Sequence, residues 1–176
     1  MSAKQHLVLS ALGPDRTGLV AQIATHITTR GGNVEDSRMA ILGAEFGVMM
    51  LVSGDADELA AIERELPSLA QATGLQLLAR RTEERRRQGG LPCVVEASAL
   101  DQEGIVQSVA AALHDLGVNV VSLETSAYMA SMSGAPLFRL EAQVEVPRSV
   151  GLATLREKMA AVARRLDLDL DIRPAT

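Results

Sequence analysis

Two stretches of the chain repeat the same pattern at one fixed separation. The first runs from Asp15 to Val20, and the second runs from Asp101 to Val106, 86 positions further along the 176-residue sequence. The same separation aligns further pairs: Ile23 with Val109, Gly31 with Gly117, Asn33 with Asn119 and Val34 with Val120. Because one offset serves a whole unit, the sequence predicts two tandem copies of a single domain.

The segment between the copies has the composition of a linker. Residues 83–91 hold a run of charged side chains followed by two glycines, which is typical of exposed connections. We therefore expect a first domain at residues 1–82, a linker at 83–91 and a second domain at 92–176. Phe46 aligns with Phe138 only at an offset of 92, so we also expect a loop of six extra residues near 130–135.

Hydrophobic periodicity gives each copy the same order of elements. A strand with alternating apolar residues ends at a turn, which is Gly13-Pro14-Asp15 in the first copy. An amphipathic helix follows, then two extended stretches, a second helix and a last strand. In the first copy the extended stretches are Asn33 to Leu42 and Phe46 to Ser53, and the second helix is interrupted at Pro67. In the second copy the extended stretches are Asn119 to Met129 and Pro136 to Val146, and the second helix is Leu152 to Leu166. This order predicts an α+β protein of two tandem ferredoxin-like βαββαβ domains, with antiparallel sheets and helices on one face.

Side-chain patterns also predict what is buried. The apolar face of the first helix is expected to hold these residues: Val20, Ile23, Ala24 and Ile27, with Val106, Val109, Ala110 and Leu113 in the second copy. Three methionines, Met39, Met49 and Met50, are expected to fill the core. The histidines share no metal-ligand spacing, so we expect them to be structural or solvent-facing: His6, His26 and His114.

Composition limits the function. The chain has 17 Lys and Arg against 22 Asp and Glu, a net charge of -5, and only 2% aromatic residues, so we expect no direct nucleic-acid binding. No apolar run is long enough to span a membrane and Cys93 is the only cysteine, so we expect a cytoplasmic protein with no disulfide. No motif for a metal, a cofactor or a catalytic nucleophile is present, which favours a binding module over an enzyme.

Both copies share an Asp-x-x-Gly element before the first helix and a Gly-x-Asn element after it. A helix start carries unpaired N–H groups and partial positive charge, so it attracts a carboxylate, and a glycine there leaves room for one. Asparagine adds a donor and an acceptor at the next strand, and aspartates can receive an ammonium group. The candidate ligand-binding residues are Asp15, Arg16, Thr17, Gly18, Leu19, Asn33, Val34 and Asp36, with a weaker set in the second copy, Asp101, Gly104, Asn119 and Val120. Such a site suits a small zwitterion.

The same residues have a purely structural interpretation, which stays open at this point. Asp15 or Thr17 can cap the helix, Gly18 can serve tight packing and Asn33 can bond the backbone of its own turn. Arg16 can be a solvated residue at the helix start rather than a ligand clamp. Spacing alone does not separate these interpretations.

The stretches Ala11 to Val20 and Gly32 to Phe46 resemble the ACT-domain family, in particular a bacterial branch with two tandem domains. The resemblance covers essentially the whole chain. It implies an amino-acid sensor that pairs with a second ACT domain, giving a homodimer, and binds its ligand at the pairing interface. The binding elements it implies are Pro14 to Leu19 and Asn33 to Asp36.

For this branch the resemblance also implies a regulator of transcription. Its ligand would be a small amino acid, with glycine as the candidate, and its partner would be the LysR-type activator of the glycine cleavage operon, bound by protein contact rather than through DNA. An alternative is an ACT-type regulatory subunit that tunes a metabolic enzyme. The second copy departs from the pattern because Gln102 and Glu103 replace Arg16 and Thr17, and Glu103 would repel a carboxylate.

Overall fold

A computed structural model describes residues 4–83, 89–130 and 134–175. The chain divides into two compact units, residues 1–85 and 86–176. Most of the expected linker, residues 84–88, and half of the expected loop, residues 131–133, lie outside the described ranges. The boundaries proposed from the sequence therefore stay predictions.

The first unit has the predicted order of elements, with its second helix divided in two. In chain order these elements are β1 (Gln5–Pro14), α1 (Leu19–Thr28), β2 (Asn33–Leu42), β3 (Glu45–Gly54), α2 (Ala56–Arg64), α3 (Leu66–Thr73) and β4 (Gln76–Thr82). The break falls where Pro67 opens α3, since proline fits the first turn of a helix but not its interior.

The second unit repeats the plan with a single continuous second helix. Its elements are β5 (Leu91–Leu100), α4 (Ile105–Asp115), β6 (Asn119–Met129), β7 (Pro136–Val146), α5 (Leu152–Leu166) and β8 (Asp169–Pro174). Within the described residues each unit has one four-stranded antiparallel sheet, in the orders β2-β3-β1-β4 and β6-β7-β5-β8. The predicted ferredoxin-like class is confirmed.

Each unit buries its own core between the helices and one face of the sheet. In the first unit this core includes Leu7, Leu9, Phe46, Val52 and Leu59. Equivalent strands and helices supply the second core, which includes Val95, Leu140 and Leu155. Alternate residues of the inner strands therefore point to the helices, and the residues between them point to the opposite, outer face of the sheet.

The predicted buried face of the first helix is confirmed for Ile23, Ile27, Val109 and Leu113 but is wrong in its rotation. In α1 the buried residues are Leu19, Ile23, His26 and Ile27, and in α4 they are Ile105, Val109, Ala112 and Leu113. Four residues expected in the core are not fully buried: Val20, Val106 and Ala110 are exposed, and Ala24 is half-buried. The helix packs through the residue that directly follows its N-terminal glycine and keeps Ile23 and Ile27 on the core, so the face is turned by less than one residue, roughly 65°.

His26 occupies a position that the small Ala112 fills in the second copy. The ring is buried and its Nε2 lies 3.3 Å from the carbonyl oxygen of Ile62, which can only accept, so the ring donates. Burial lowers the pKa of His26, because removal from water penalises the charged form. The expected structural role of this histidine agrees with these contacts.

Two of the three methionines expected in the core are exposed. Met50 is buried, whereas Met39 and Met49 are more than half exposed. Met49 points to the outer face of β3, and Met39 lies on the edge strand β2, beyond the cover of the helices.

Candidate functional site

Gly18 begins α1 in a conformation that favours glycine. Its φ is 92°, in the left-handed region, and Gly104 repeats this at the start of α4 with a φ of 85°. Neither helix has a side-chain cap, so the idea that Asp15 or Thr17 caps α1 is wrong. A Cβ on Gly18 would meet only Gln22, at an ordinary 3.6 Å, so tight packing does not explain this glycine either.

The helix start is therefore uncovered. The N–H groups of a first helical turn have no acceptor within the helix and carry partial positive charge. Asp15, Thr17 and Gly18 are exposed around them, whereas the Leu19 side chain is buried in the core. Leu19 can thus offer a ligand only its backbone.

Arg16 fastens the loop before α1 to the end of α3. Its guanidinium donates to the carbonyl oxygens of Ala72, at 3.1 Å, and Thr73, at 3.3 Å. These carbonyls belong to the last turn of a helix, where backbone acceptors lack partners. Arg16 is thus neither free in solvent nor free to clamp a ligand with that nitrogen.

Gln102 performs the same task in the second copy. Its side-chain amide donates to the carbonyl oxygen of Leu166, at 2.6 Å, at the end of α5. The loop backbone is held alike in both copies, because the N–H of Asp15 donates to Ala44 and that of Asp101 donates to Pro136, each at 2.9 Å. The loops therefore share one geometry while their exposed side chains differ.

Asn33 does not lie beside Gly18, contrary to the sequence prediction. It opens β2 opposite Ser53, which in turn pairs with His6 near the beginning of β1. Gly18 follows the other end of β1, where Pro14 pairs with Glu45. Eight residues of strand separate the two ends, which is about 26 Å. One copy therefore cannot bring both residues to the same small ligand, and the same holds for Asn119 and Gly104.

The end of the sheet that carries Asn33 is polar. Glu35 lies 3.2 Å from the ammonium of Lys4 and 3.3 Å from the ring of His6. Its neighbours Ser53 and Lys4 hold the pKa of Glu35 below its ordinary value, since nearby polar and positive groups favour the carboxylate. These neighbours were missed from the sequence, because only the strand register brings them beside Asn33.

The other predicted residues of β2 have different surroundings. Asp36 accepts a hydrogen bond from the backbone N–H of Ser37 and pairs with Arg38, so part of its carboxylate is already engaged. Val34 is half-buried against the core, whereas Val120 in the second copy is exposed. Asn33 itself is exposed and its side chain has no hydrogen bond with any described residue.

The described residues contain neither a candidate metal site nor a candidate membrane-spanning helix. Across residues 4–83, 89–130 and 134–175, no three His, Cys, Asp or Glu side chains are grouped to hold a metal ion. None of the helices in these ranges is both long and apolar enough to cross a membrane.

The comparison with known proteins identifies the fold's family. The family model of the ACT domain matches residues 5–79, which span β1 to most of β4. The first unit is an ACT domain, and the second unit repeats its plan of elements. The chain is 29% identical over 168 residues to the glycine cleavage system transcriptional repressor of Escherichia coli K12. The aligned region covers 95% of this chain and 88% of that protein.

Solved structures extend the likeness over both units of the chain. An unknown protein from Galdieria sulphuraria is 30% identical and superimposes with a TM-score of 0.86. The superposition covers 99% of this chain and 100% of that protein's chain. The crystal structure of a candidate glycine cleavage system transcriptional repressor is 28% identical, covers 99% of each chain and has a TM-score of 0.73. Both units of this chain thus have counterparts in these structures.

Proposed function

We propose that this tandem ACT protein is a regulator that senses a small amino acid, with glycine as the candidate, through its first domain. The observation that carries the proposal is the exposed, uncapped helix start at Gly18. Its N–H groups suit a carboxylate, and the exposed Asp15 beside it suits an ammonium group. The name of the Escherichia coli relative and the match to the ACT family support this reading.

We further propose that the site is completed by a second copy of the chain. β2 is an edge strand in which every residue except Val34 is exposed, and such an edge readily pairs with another strand. Two-fold symmetry makes the two β2 strands antiparallel. The partner's β2 then begins where this β2 ends, beside the loop that leads to Gly18, and brings a second Asn33 to it.

The first domain should bind the ligand more tightly than the second. Near the start of α4, Asp101 and the exposed Glu103 are both negative, whereas the first domain has Asp15 alone and the neutral Thr17. One additional like charge at partly exposed range costs on the order of 1 kcal/mol, or several-fold in affinity.

Amino-acid binding is expected to raise the melting temperature of the purified protein. A ligand at about 100 times its Kd adds roughly 2.7 kcal/mol of stability by mass action. Thermal unfolding in millimolar concentrations of each common amino acid, followed by titration calorimetry, measures this. Asn33→Ala should weaken binding and the matched Asn119→Ala should change it little. No stabilisation by any amino acid would refute the sensor proposal, and equal losses would assign the site to the wrong domain.

We propose that the output is transcriptional and passes through protein contact. The relative over 95% of this chain is a transcriptional repressor, and the net charge of -5 disfavours phosphate binding. The partner we propose is a LysR-type activator of the glycine cleavage operon. Co-purification from native cells tests this, because recovery of a metabolic enzyme instead would favour an enzyme-tuning subunit.

The purified protein alone is expected not to bind DNA specifically. Few Lys and Arg side chains are available to neutralise phosphates, and the described residues of the two domains form no DNA-binding helix-turn-helix. Gel retardation of the target operator fragment at physiological salt should show no complex. A tight complex that weakens steeply with added salt would contradict the protein-contact proposal.

A further inference from the structure

The outer face of the first sheet carries an exposed apolar patch. Leu12 on β1, Met49 on β3 and Leu78 on β4 point away from the helices and are 55%, 58% and 67% exposed. Val8 and Leu51, which pair with each other across β1 and β3, lie beside them and are half-buried. We call these five residues the outer patch.

Charged residues lie beside the outer patch at the two edges of the sheet. Asp36 and Arg38 lie on the edge strand β2, and Arg80 lies on the opposite edge strand β4. An apolar centre with a polar rim is the usual anatomy of a protein interface. Because the rim carries both signs of charge, one copy of this face does not repel another.

The second ACT domain shows that the fold does not require an apolar outer face. Strand register places Ser98 where the first sheet has Leu12, Glu141 where it has Met49, and Asp171 where it has Leu78. Glu96, at the centre of that second face, forms ion pairs with Arg139 and Arg173. The two sheets bury similar cores on their helix sides. Their outer faces therefore differ for a reason other than folding.

We propose that the outer patch packs against the same patch of a second copy of this chain. Sheets pack face to face about 10 Å apart with their side chains interdigitated. Four strands about 4.8 Å apart, with ten residues in each inner strand, give a flat footprint of roughly 600 Å². Side-chain relief brings this close to the roughly 800 Å² per partner of a standard stable interface. The face is thus large enough for a dimer contact of its own.

This contact is separate from the pairing of β2 edges. Edge pairing extends the sheet in its own plane, whereas the outer patch stacks one sheet on another, so both contacts can exist in one assembly. Leu12 and Met49 lie on the inner strands β1 and β3. Substitutions there change the stacked face and leave the β2 edge intact.

The second domain supplies the substitutions for the test. We expect Leu12→Ser together with Met49→Glu, which introduces the residues found at Ser98 and Glu141, to fold normally, as checked by circular dichroism and thermal unfolding. Sedimentation equilibrium of the full chain should show that the variant assembly has half the mass of the wild-type assembly. The stacking Kd should rise by roughly 100-fold or more, because each copy would then bury an unpaired carboxylate in the contact.

Val20→Glu is the matched control, since it adds the same charge at an exposed apolar residue on the helix side. It should leave the mass unchanged. A wild-type protein that is monomeric at micromolar concentration, or a double variant with the wild-type mass, would overturn the proposal. If edge pairing fails instead, the wild type is a dimer and the double variant a monomer, so the two proposals are judged separately.

Discussion

Phe46→Ala should destabilise the first domain by about 3–5 kcal/mol, the usual cost of removing a buried phenylalanine. Phe46 is only 2% exposed and lies opposite Gly13 on the helix side of the sheet. Gly13 adds no side chain there, and a Cβ on it would lie 3.0 Å from Leu75, so this end of the core is closely packed. Neighbouring side chains cannot collapse into the cavity that the ring leaves.

Phe138→Ala is the matched control in the second domain. It lies opposite Ala99 at the equivalent end of the second sheet, but it is only half-buried. Its removal should cost clearly less, because less apolar surface leaves water on folding. Urea unfolding of both full-length variants, followed by circular dichroism, gives the two free energies. An equal loss in the two variants would show that burial of Phe46 does not distinguish the two cores.

The strands were the part of the fold that the sequence predicted best. The predicted stretches Asn33 to Leu42 and Pro136 to Val146 coincide with β2 and β7. Glycine turns, β-branched residues and period-two alternation mark such strands locally. The interruption at Pro67 was predicted for the same reason, because proline acts on its immediate neighbours.

The rotation of the first helix was harder to predict. Val20 and Leu19 are both apolar neighbours, and either could begin an apolar face with Ile23 and Ile27. The apolar spacing predicted a face that included Val20 and Ala24 and left out His26. In the folded chain His26 is buried because the Ile62 carbonyl accepts its N–H, and that contact is invisible in the sequence.

The position of Asn33 relative to Gly18 was predicted wrongly, because it depends on the topology of the chain. Asn33 follows Gly18 by only 15 positions, which suggested a shared site within one domain. The chain between them is α1 and its turn, and α1 carries it back along the sheet to the opposite end. Short separation in sequence therefore gave the wrong proximity, whereas the topology gives the right one.

Arg16 and Gln102 illustrate what comparison of the two domains adds. They differ in charge and size, and this difference was part of the prediction that the second domain binds a carboxylate less well. Both donate to carbonyls at the end of the helix that precedes the last strand of the domain, α3 or α5, so the pair preserves one structural hydrogen bond. The difference that remains for ligand binding is Thr17 against Glu103, which both stay exposed.

A shared site predicts that two defective chains restore binding when they are mixed. Thr17→Glu places in the first domain the residue that the second domain has at 103, and it should cost on the order of 1 kcal/mol of binding by repulsion. Asn33→Ala should cost roughly 1–3 kcal/mol by loss of a hydrogen-bonding side chain. In the proposed dimer each site takes its loop from one chain and Asn33 from the other. Every site in either homodimer therefore carries one defect.

A mixed dimer concentrates both defects in one site and leaves the other site intact. Free exchange at equal concentrations makes half of the dimers mixed, so about one quarter of all first-domain sites should bind with wild-type affinity. Titration calorimetry of the exchanged mixture, against the two unmixed variants, measures this fraction. Asn119→Ala mixed with Asn33→Ala is the control, because about one half of all first-domain sites should then bind with wild-type affinity, whether or not a site is shared between chains. If the mixture of Thr17→Glu and Asn33→Ala binds the ligand as weakly as the two unmixed variants, the site is not shared between chains. A site built from one chain keeps its own defect whichever partner that chain has.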